Sequence, residues 1–158
     1  MAGLTAHDLN VRAVDGADFF VARAVVDGWF DRPVGLVMHR LFFEELGPSG
    51  VWLGKDDAPA GFLLGFASEA EPRRAYVHFH AVDPAWRRKG VGGRLYREFG
   101  DRMASRGCTR VRALAPMWNT ASHRFHESLG FVGTRSPAHV GPGQDRIVYE
   151  RTIPIGED

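Results

Sequence analysis

One stretch of this chain joins a strand, a basic glycine-rich turn and a helix. Residues 75–82 (AYVHFHAV) form a β-rich run, residues 86–93 (WRRKGVGG) form the turn, and a long amphipathic helix follows. Apolar side chains recur along the helix at four-residue steps, at Val91, Leu95, Phe99 and Met103, which predicts one buried stripe. Gly107 is placed to end this helix. A helix with such a stripe must pack on a sheet or on other helices, so the fold is layered.

The rest of the chain supplies elements that complete a mixed sheet. The patterns predict strands over 10–14, 50–54, 60–68, 109–114, 131–135 and 146–153, and helices over 16–29, 35–46 and from Asn119 to Gly130. Residues 56–59 (DDAP) carry turn chemistry, so the strands on either side form an antiparallel hairpin. This order predicts an α/β (α+β mixed) fold, a twisted mixed sheet of about six or seven strands with helices on both faces. With 158 residues, we expect a single domain, 1–158.

Composition excludes several classes of function. With 20 basic and 19 acidic side chains, the net charge of +1 gives no overall attraction to nucleic acid. Cys108 is the single cysteine, which excludes an internal disulfide framework and disfavours a cysteine-based zinc site. No window approaches the ~18 continuous apolar residues of a membrane helix, and the N-terminus lacks the pattern of a secretion signal. We therefore expect a cytoplasmic protein without nucleic-acid or membrane partners.

The basic glycine turn has the features of an anion-binding site. The start of a helix exposes unpaired backbone N–H groups and the positive end of the helix dipole. Three cations (Arg87, Arg88, Lys89) and three glycines (Gly90, Gly92, Gly93) surround that start, which favours a pyrophosphate cradle. The P-loop pattern fails because no Lys-Ser/Thr pair follows, and the dinucleotide fingerprint fails because Leu95 takes its third glycine position. The alternative is a solvated basic turn that only caps a helix.

Two motifs in this region resemble those of the GNAT superfamily of N-acetyltransferases. Val82-x-Pro84-x-x-Arg87-x-x-Gly90-x-Gly92 resembles the acetyl-CoA-binding signature R/Q-x-x-G-x-G/A. Downstream, the run NTASHRFHESLGF from Asn119 to Phe131 is similar to the helix N-x-x-A-x-x-[L/F]-Y-x-x-x-G-F of that family. The resemblance covers essentially the whole chain and is densest over residues 75–133. It implies a GNAT-like fold with acetyl-CoA as co-substrate.

The resemblance also implies which residues hold the cofactor. The acetyl carbonyl would lie against backbone N–H groups near Ala81 and Val82, the pyrophosphate on the turn, and the pantetheine arm near Asn119. The implied cofactor-binding set is Ala81, Val82, Arg87, Arg88, Lys89, Gly90, Val91, Gly92, Gly93, Asn119, Ser122 and His126.

Three histidines are candidate catalytic residues. His126 stands where the family most often has a tyrosine that protonates the departing thiolate, so it is either a general acid or a packed, cofactor-contacting side chain. The H-x-H-x-V run with His78 and His80 is similar to the paired histidines of arylalkylamine N-acetyltransferases, although only His78 aligns with one of that pair. An alkylamine with a pKa near ~10 must lose a proton before it attacks, and either histidine could accept it. The alternative for both is a strand histidine bonded to backbone.

The binding site for the acceptor substrate is predicted from side chains that carry aromatic rings. Trp29, His39, Phe43, Tyr76 and Trp118 are the candidate substrate-binding residues, and each is alternatively a core residue. A zinc site could in principle form on His78, His80, His123 and His126. No carboxylate or cysteine lies at a characteristic ligand spacing from them, so we expect no metal.

These observations predict an acetyl-CoA-dependent N-acetyltransferase. Its acceptor is expected to be a primary amine of a small or amino-acid-like molecule that attacks directly in a ternary complex. The alternatives are a protein or peptide N-acetyltransferase, and a non-catalytic acyl-CoA-binding regulatory module on the same fold. A homodimer is an expectation that rests on the resemblance alone.

Overall fold

The computed structural model describes residues 3–156, so the outermost two residues at each end of the predicted 1–158 domain lie outside it. The helices are α1 (Asp18–Phe30), α2 (Arg40–Leu46), α3 (Val91–Ala104) and α4 (Thr120–Ser128). The strands are β1 (Asn10–Arg12), β2 (Val51–Lys55), β3 (Ala58–Ala67), β4 (Arg74–Val82), β5 (Arg110–Pro116), β6 (Val132–Ser136) and β7 (Arg146–Thr152). Short 3₁₀ turns lie at Ala6–Asp8, Val34–Val37, Gly47–Ser49 and Pro84–Trp86.

The seven strands hydrogen-bond in the order β1-β2-β3-β4-β5-β7-β6. β4 and β5 are parallel, whereas β1–β2, β2–β3, β5–β7 and β6–β7 are antiparallel pairs. This confirms the predicted mixed α/β sheet. The chain divides into two compact units, one with residues up to 66 and 78–99 and the other with residues 67–77 and from 100 onward. No helix within residues 3–156 has the length and apolar character needed to cross a membrane.

The first unit is built around the hairpin of β2 and β3. Asp56 and Asp57 have φ angles of 50° and 66°, the left-handed pair of a tight two-residue hairpin turn. Lys55 pairs with Ala58 across that turn, so β3 begins at Ala58 and not after Pro59 as the sequence predicted. Positions 60–65 of β3 are buried without alternation, as in a strand covered on both faces.

Phe62 of β3 is the centre of the first unit's core. Its side chain has no exposed surface and stacks on Trp52 and Phe79, at ring-centroid distances of 5.6 and 5.8 Å. Phe43 of α2 and Trp29 of α1 pack against the same ring at 5.8 and 6.4 Å. One aromatic side chain therefore ties α1 and α2 to the sheet of this unit.

The prediction of one continuous helix over 35–46 is wrong. The structure has a 3₁₀ turn over Val34–Val37 and a separate seven-residue helix, α2, because His39 is extended, with φ −131° and ψ 137°. The His39 ring starts the new helix, since its Nδ1 accepts a hydrogen bond from the Leu41 N–H at 3.2 Å.

The predicted helix stripe is confirmed, and strand β5 of the second unit is buried on one side. Val91, Leu95, Phe99 and Met103 of α3 are at most 1% exposed. α3 ends at Ala104 and Gly107 follows with φ +88°, the left-handed cap that the sequence predicted. In β5, alternate residues are buried (Val111, Ala113 and Ala115) and the residues between them are partly exposed.

We expect the aromatic core of the first unit to dominate its stability. Phe62→Ala should lower the free energy of unfolding by about 3–5 kcal/mol, because a fully buried ring leaves a cavity. Phe20→Ala, at a position that is 60% exposed, is the matched control and should change it by less than about 0.5 kcal/mol. Equal losses for the two variants in denaturant unfolding would contradict this placement of the core.

Candidate functional site

The predicted anion cradle lies in the first unit, where β4 turns into α3. The Asp83 carboxylate accepts the Ala85 N–H at 2.9 Å and so starts the 3₁₀ turn Pro84–Trp86. Arg88 and Gly90 then have φ angles of 59° and 82°, and α3 begins at the next residue, Val91. Residues 83–90 connect β4 to α3, and the two left-handed residues lie at the end of this connection, directly before the helix. The first N–H groups of α3 have no acceptor within the helix and can bind an anion.

Two of the three predicted cations contact the protein itself. The Arg87 guanidinium donates a hydrogen bond to the Trp29 carbonyl near the end of α1. The Lys89 ammonium lies 5.1 Å from the centre of the Trp86 ring, a cation–π contact. Both charges are therefore held at the turn by neighbouring groups.

The N-terminal segment holds this turn in place through contacts that the sequence did not predict. The Ala6 N–H donates to the Lys89 carbonyl at 2.9 Å. The Arg94 guanidinium donates to the carbonyls of Ala6 and Leu9, the latter at 2.9 Å. A cation in the first turn of a helix opposes the helix dipole and needs local acceptors, so Arg94 was the available signal. Its acceptors, Ala6 and Leu9, lie more than 80 residues away in the sequence, and no local pattern there indicates that they accept from Arg94.

The C-terminal end of β4 lies beside β3. The Asp83 N–H donates to the Ala60 carbonyl at 2.9 Å, and the Ala81 side chain is 1% exposed. A Cβ on Gly61 would come 2.9 Å from the Ala81 carbonyl oxygen, so only glycine fits there. Ala81 and Val82, the residues predicted to hold the acetyl carbonyl, thus end a strand whose position is fixed.

His78 and His80 contact different helices. The His80 Nδ1 lies 3.2 Å from the hydroxyl of Tyr96 on α3, with the rings edge to face at 5.2 Å. The His78 ring packs against Phe42 of α2 at 4.6 Å. Although His78 as a residue is exposed, this packing removes water from its ring and lowers the pKa of the imidazole. The two predicted bases therefore have separate surroundings.

The predicted acceptor residues fall into core and surface groups. Phe43 is 1% exposed and packs on Phe19 and Phe62, so it is a core residue. Trp29 also packs on Phe62, and His39 caps α2. In the second unit Tyr76 is half-buried, which raises the pKa of its hydroxyl, whereas Trp118 is 65% exposed.

Asn119 of the second unit begins α4. Its side-chain oxygen accepts the Ser122 N–H at 3.1 Å, which is an N-cap contact. Asn119 and Ser122 are both predicted cofactor contacts, and the structure shows them paired with each other at the start of this helix.

His126 is buried, with 1% of its surface exposed. Its Nδ1 lies 2.7 Å from the Ser122 carbonyl, and because a carbonyl only accepts, the proton lies on Nδ1. The ring stacks on Tyr149 of β7 at 4.7 Å, with 9° between the planes. Burial lowers the pKa of His126 and outweighs the bond to Ser122, which acts in the opposite sense. The neutral imidazole is thus the favoured form, and its N–H is already bonded.

His123 and Tyr149 form a second histidine–tyrosine contact in this unit. The His123 Nε2 lies 3.1 Å from the Met117 carbonyl, so the proton lies on Nε2. In the neutral ring Nδ1 is then an acceptor, and the Tyr149 hydroxyl, 2.7 Å away, donates to it. Within residues 3–156, no three histidine, cysteine, aspartate or glutamate side chains come together as metal ligands would.

Comparison with known proteins gives a family and a set of similar folds. The model of the acetyltransferase (GNAT) family matches residues 14–131. No curated protein matches the sequence. Three solved structures illustrate the similarity of the fold.

The first is the ribosomal-protein-S18-alanine N-acetyltransferase from Escherichia coli, with a TM-score of 0.72 at 20% identity over 95% of this chain and 97% of that one. The second is a proposed acetyltransferase from Salmonella typhimurium with its cofactor acetyl-CoA, with a TM-score of 0.68 at 20% identity over 95% and 96%. The third is the diaminobutyrate acetyltransferase of Paenibacillus lautus with L-2,4-diaminobutyric acid and coenzyme A, with a TM-score of 0.70 at 17% identity over 96% and 98%.

The cap of α4 gives a test by mutation. Asn119→Ala should lower the free energy of unfolding by about 1 kcal/mol, because the Ser122 N–H loses its acceptor. Asn119→Asp keeps an oxygen at the same place and should restore most of that loss. If both variants were equally unstable in denaturant unfolding, the side-chain cap would be wrong.

The burial of His126 predicts a dependence of stability on pH. Its pKa in the folded protein is lowered below the unfolded value of ~6.5, so the unfolded chain binds the proton more readily and stability falls as pH drops through about 6.5. His126→Gln should reduce this loss between about pH 7.5 and pH 5, measured by urea unfolding. His126→Phe, which also cannot titrate, is the control and should give the same slope even if its absolute stability differs. A slope in both variants equal to that of the parent protein would contradict the assignment.

Proposed function

The chain belongs to the acetyltransferase (GNAT) family and is an acetyl-CoA-dependent acetyltransferase, and from this premise we propose that its acceptor is a primary amine of a small or amino-acid-like molecule. The amine attacks the thioester directly, in a ternary complex. The observation that supports binding of acetyl-CoA is the pair of left-handed residues, Arg88 and Gly90, directly before α3, whose first N–H groups have no acceptor within the helix.

The proposed cofactor contacts come from the residues that form this turn. The N–H groups of residues 91–93, with Arg87, Arg88 and Lys89 beside them, bind the pyrophosphate. Acetyl-CoA supplies the activated acetyl group. The N–H groups near Ala81 and Val82 stabilise the negative charge that develops on the carbonyl oxygen. Asn119, Ser122 and His126 remain proposed cofactor contacts.

The proton of the acceptor amine requires a base. His80 and His78 remain the proposed candidates, and the lowered pKa of His78 keeps its ring neutral and able to accept a proton at neutral pH. His126 suits the role of proton donor poorly, because its N–H is bonded to Ser122 and burial favours its neutral form. A thiol with a pKa near ~8.5 leaves as thiolate with little assistance, so we assign His126 a packing and cofactor-contact role.

We expect acetyl-CoA to stabilise the fold by binding at the turn that contains Gly90. At ~100 times its dissociation constant the ligand should add about 2.7 kcal/mol, a rise of several degrees in Tm, whereas ATP should not. Gly90→Ala forces a Cβ into a left-handed backbone and should abolish the shift.

Gly107→Ala is the matched control for that measurement. Gly107 has φ +88°, close to the +82° of Gly90, but lies beyond the other end of α3. This variant should lose comparable stability and still respond fully to acetyl-CoA. If Gly90→Ala showed the full rise in Tm with acetyl-CoA, the proposed anion cradle would be wrong.

The class of acceptor is tested by release of free thiol from acetyl-CoA. A suitable panel holds phenethylamine, L-2,4-diaminobutyric acid, phosphinothricin and a peptide beginning with alanine. We expect turnover with one of the small amines. Turnover with the peptide alone would replace the small acceptor by a protein N-terminus, and binding of acetyl-CoA without turnover on any amine would favour the regulatory module.

A further inference from the structure

Arg94 lies in the first turn of α3, whose start is the proposed binding site for the pyrophosphate of acetyl-CoA. Its guanidinium donates to the carbonyls of Ala6 and Leu9, the latter at 2.9 Å. The Arg94 side chain is mostly buried, with 18% of its surface exposed. A cation at the start of a helix opposes the helix dipole, so bonds to acceptors outside the helix must compensate for that cost. The two carbonyls of the N-terminal segment supply these bonds.

Residues 5–9 form a small closed turn, which we call the N-terminal brace. The Thr5 N–H donates to the Asp8 carboxylate at 2.8 Å, and the Asp8 N–H donates to the Thr5 carbonyl at 3.1 Å. Ala6 and Leu9 are each 4% exposed. The brace is therefore held together by its own hydrogen bonds and anchored by two buried apolar side chains.

The brace is bonded both to the turn before α3 and to α3 itself. The Ala6 N–H donates to the Lys89 carbonyl at 2.9 Å, while the Ala6 carbonyl accepts from the Arg94 guanidinium. Between these two contacts, the Arg94 N–H donates to the Gly90 carbonyl at 3.0 Å. A Cβ on Gly90 would lie 3.7 Å from the Cβ of Ala6, so the brace also packs directly against the turn. One residue, Ala6, thus links position 89 to position 94.

This link acts on a backbone conformation that is costly by itself. Arg88 has a φ of 59°, in the left-handed region that residues with a Cβ seldom adopt. Contacts that hold the next residues in place keep the turn in this conformation before any ligand arrives. A ligand that requires one conformation binds more weakly in proportion to the molecules that are not in it. Holding the turn therefore raises affinity without adding a contact to the ligand.

We propose that Arg94 is a positioning residue that clamps the N-terminal brace onto the turn and thereby keeps the start of α3 in the conformation that binds acetyl-CoA. This inference rests on the proposed function, which assigns the pyrophosphate to this turn. Arg94 acts through Ala6 and Lys89. Its loss should weaken the binding of acetyl-CoA and leave the chemical step unchanged, because the bound conformation is the same once the cofactor is in place.

A direct contact between the Arg94 charge and the pyrophosphate is the alternative, and Ala6→Pro separates the two. Ala6 is the first residue of its 3₁₀ turn, and Thr5 before it is extended, with φ −122° and ψ 175°. Proline fits such a position. The substitution removes the N–H that Lys89 accepts and leaves every charge in place. The clamp requires that it weaken binding, whereas a direct contact does not.

The clamp is tested in the full chain without ligand by backbone hydrogen exchange. Arg94→Met keeps an unbranched side chain but has no donor, so it should release the brace and speed the exchange of the Ala6 amide. Glu98→Gln is the matched control, because it removes the carboxylate that lies 3.7 Å from the Arg94 guanidinium and leaves both carbonyl bonds in place. Equal exchange of the Ala6 amide in the parent protein and in Arg94→Met overturns the proposal.

The consequence for binding is tested by calorimetric titration with acetyl-CoA. Arg94→Met and Ala6→Pro should each raise Kd about 10-fold, as when the competent conformation falls to about a tenth of the molecules. The controls Glu98→Gln and Gly107→Ala should stay within about two-fold of the parent protein, although Gly107→Ala loses stability. With the most active amine of the panel, kcat at saturating acetyl-CoA should be the same in all variants. A merely structural role would lower Tm and leave Kd unchanged.

A chain that carries both Arg94→Met and Ala6→Pro tests whether the two act through the same contact. Its Kd should be close to that of either single variant, because the first substitution already releases the brace. A rise of about 100-fold, the product of the two single effects, would mean independent actions and overturn the clamp. An unchanged Kd in Ala6→Pro overturns it too, even if Arg94→Met does not fold.

Failure of the proposed function has a different signature. If the parent protein does not bind acetyl-CoA, the assignment of the turn to the cofactor is rejected. The exchange of the Ala6 amide still decides whether Arg94 clamps the brace, because that measurement uses no ligand. If the parent protein binds acetyl-CoA and both single variants bind it equally well, the proposed function stands and the positioning role of Arg94 is wrong.

Discussion

The structure depends on the backbone turn that carries β4 into α3. Residues 83–90 make this connection, and two of them, Arg88 and Gly90, have positive φ directly before the helix. Asp83 fixes the entry to this turn through the Ala85 N–H, and its own N–H is bonded to β3 at Ala60. The exit is fixed by the buried stripe that begins at Val91. These local constraints support the proposed anion site, because the helix start presents N–H groups that the helix itself cannot satisfy.

Several of the polar residues proposed to contact the cofactor are already paired, each within its own unit of the protein. Arg87 is bonded to Trp29, Asn119 to Ser122, and His126 to the Ser122 carbonyl. Such contacts hold side chains in one orientation before a ligand arrives, which reduces the ordering that binding would otherwise require. They also separate roles that the sequence had grouped together. His126 is a buried ring whose pKa burial lowers, whereas the His80 Nδ1 lies 3.2 Å from the Tyr96 hydroxyl.

The sequence predicted the elements that local chemistry dictates. The stripe of α3, its glycine stop and the Asp56-Asp57 hairpin each depend on residues close in the chain. Long-range contacts were not predictable in this way. Nothing near Arg94 in the sequence identifies Ala6 and Leu9 as its acceptors. Nothing near His80 identifies Tyr96 as its partner, because the position of Tyr96 in α3 places it beside the apolar stripe. The break at His39 was also missed, because an apolar run without proline or glycine shows no reason for a helix to stop.

The central claim is that acetyl-CoA binds at the start of α3 beside the end of β4. Backbone hydrogen exchange of the full chain, measured with and without acetyl-CoA, tests it residue by residue. Binding at this place predicts slower exchange of the amides of residues 88–93 and of Ala81 and Val82, with the N-terminal brace at Ala6 responding through its bond to Lys89. Protection confined to other segments, or no protection at saturating acetyl-CoA, would contradict the account.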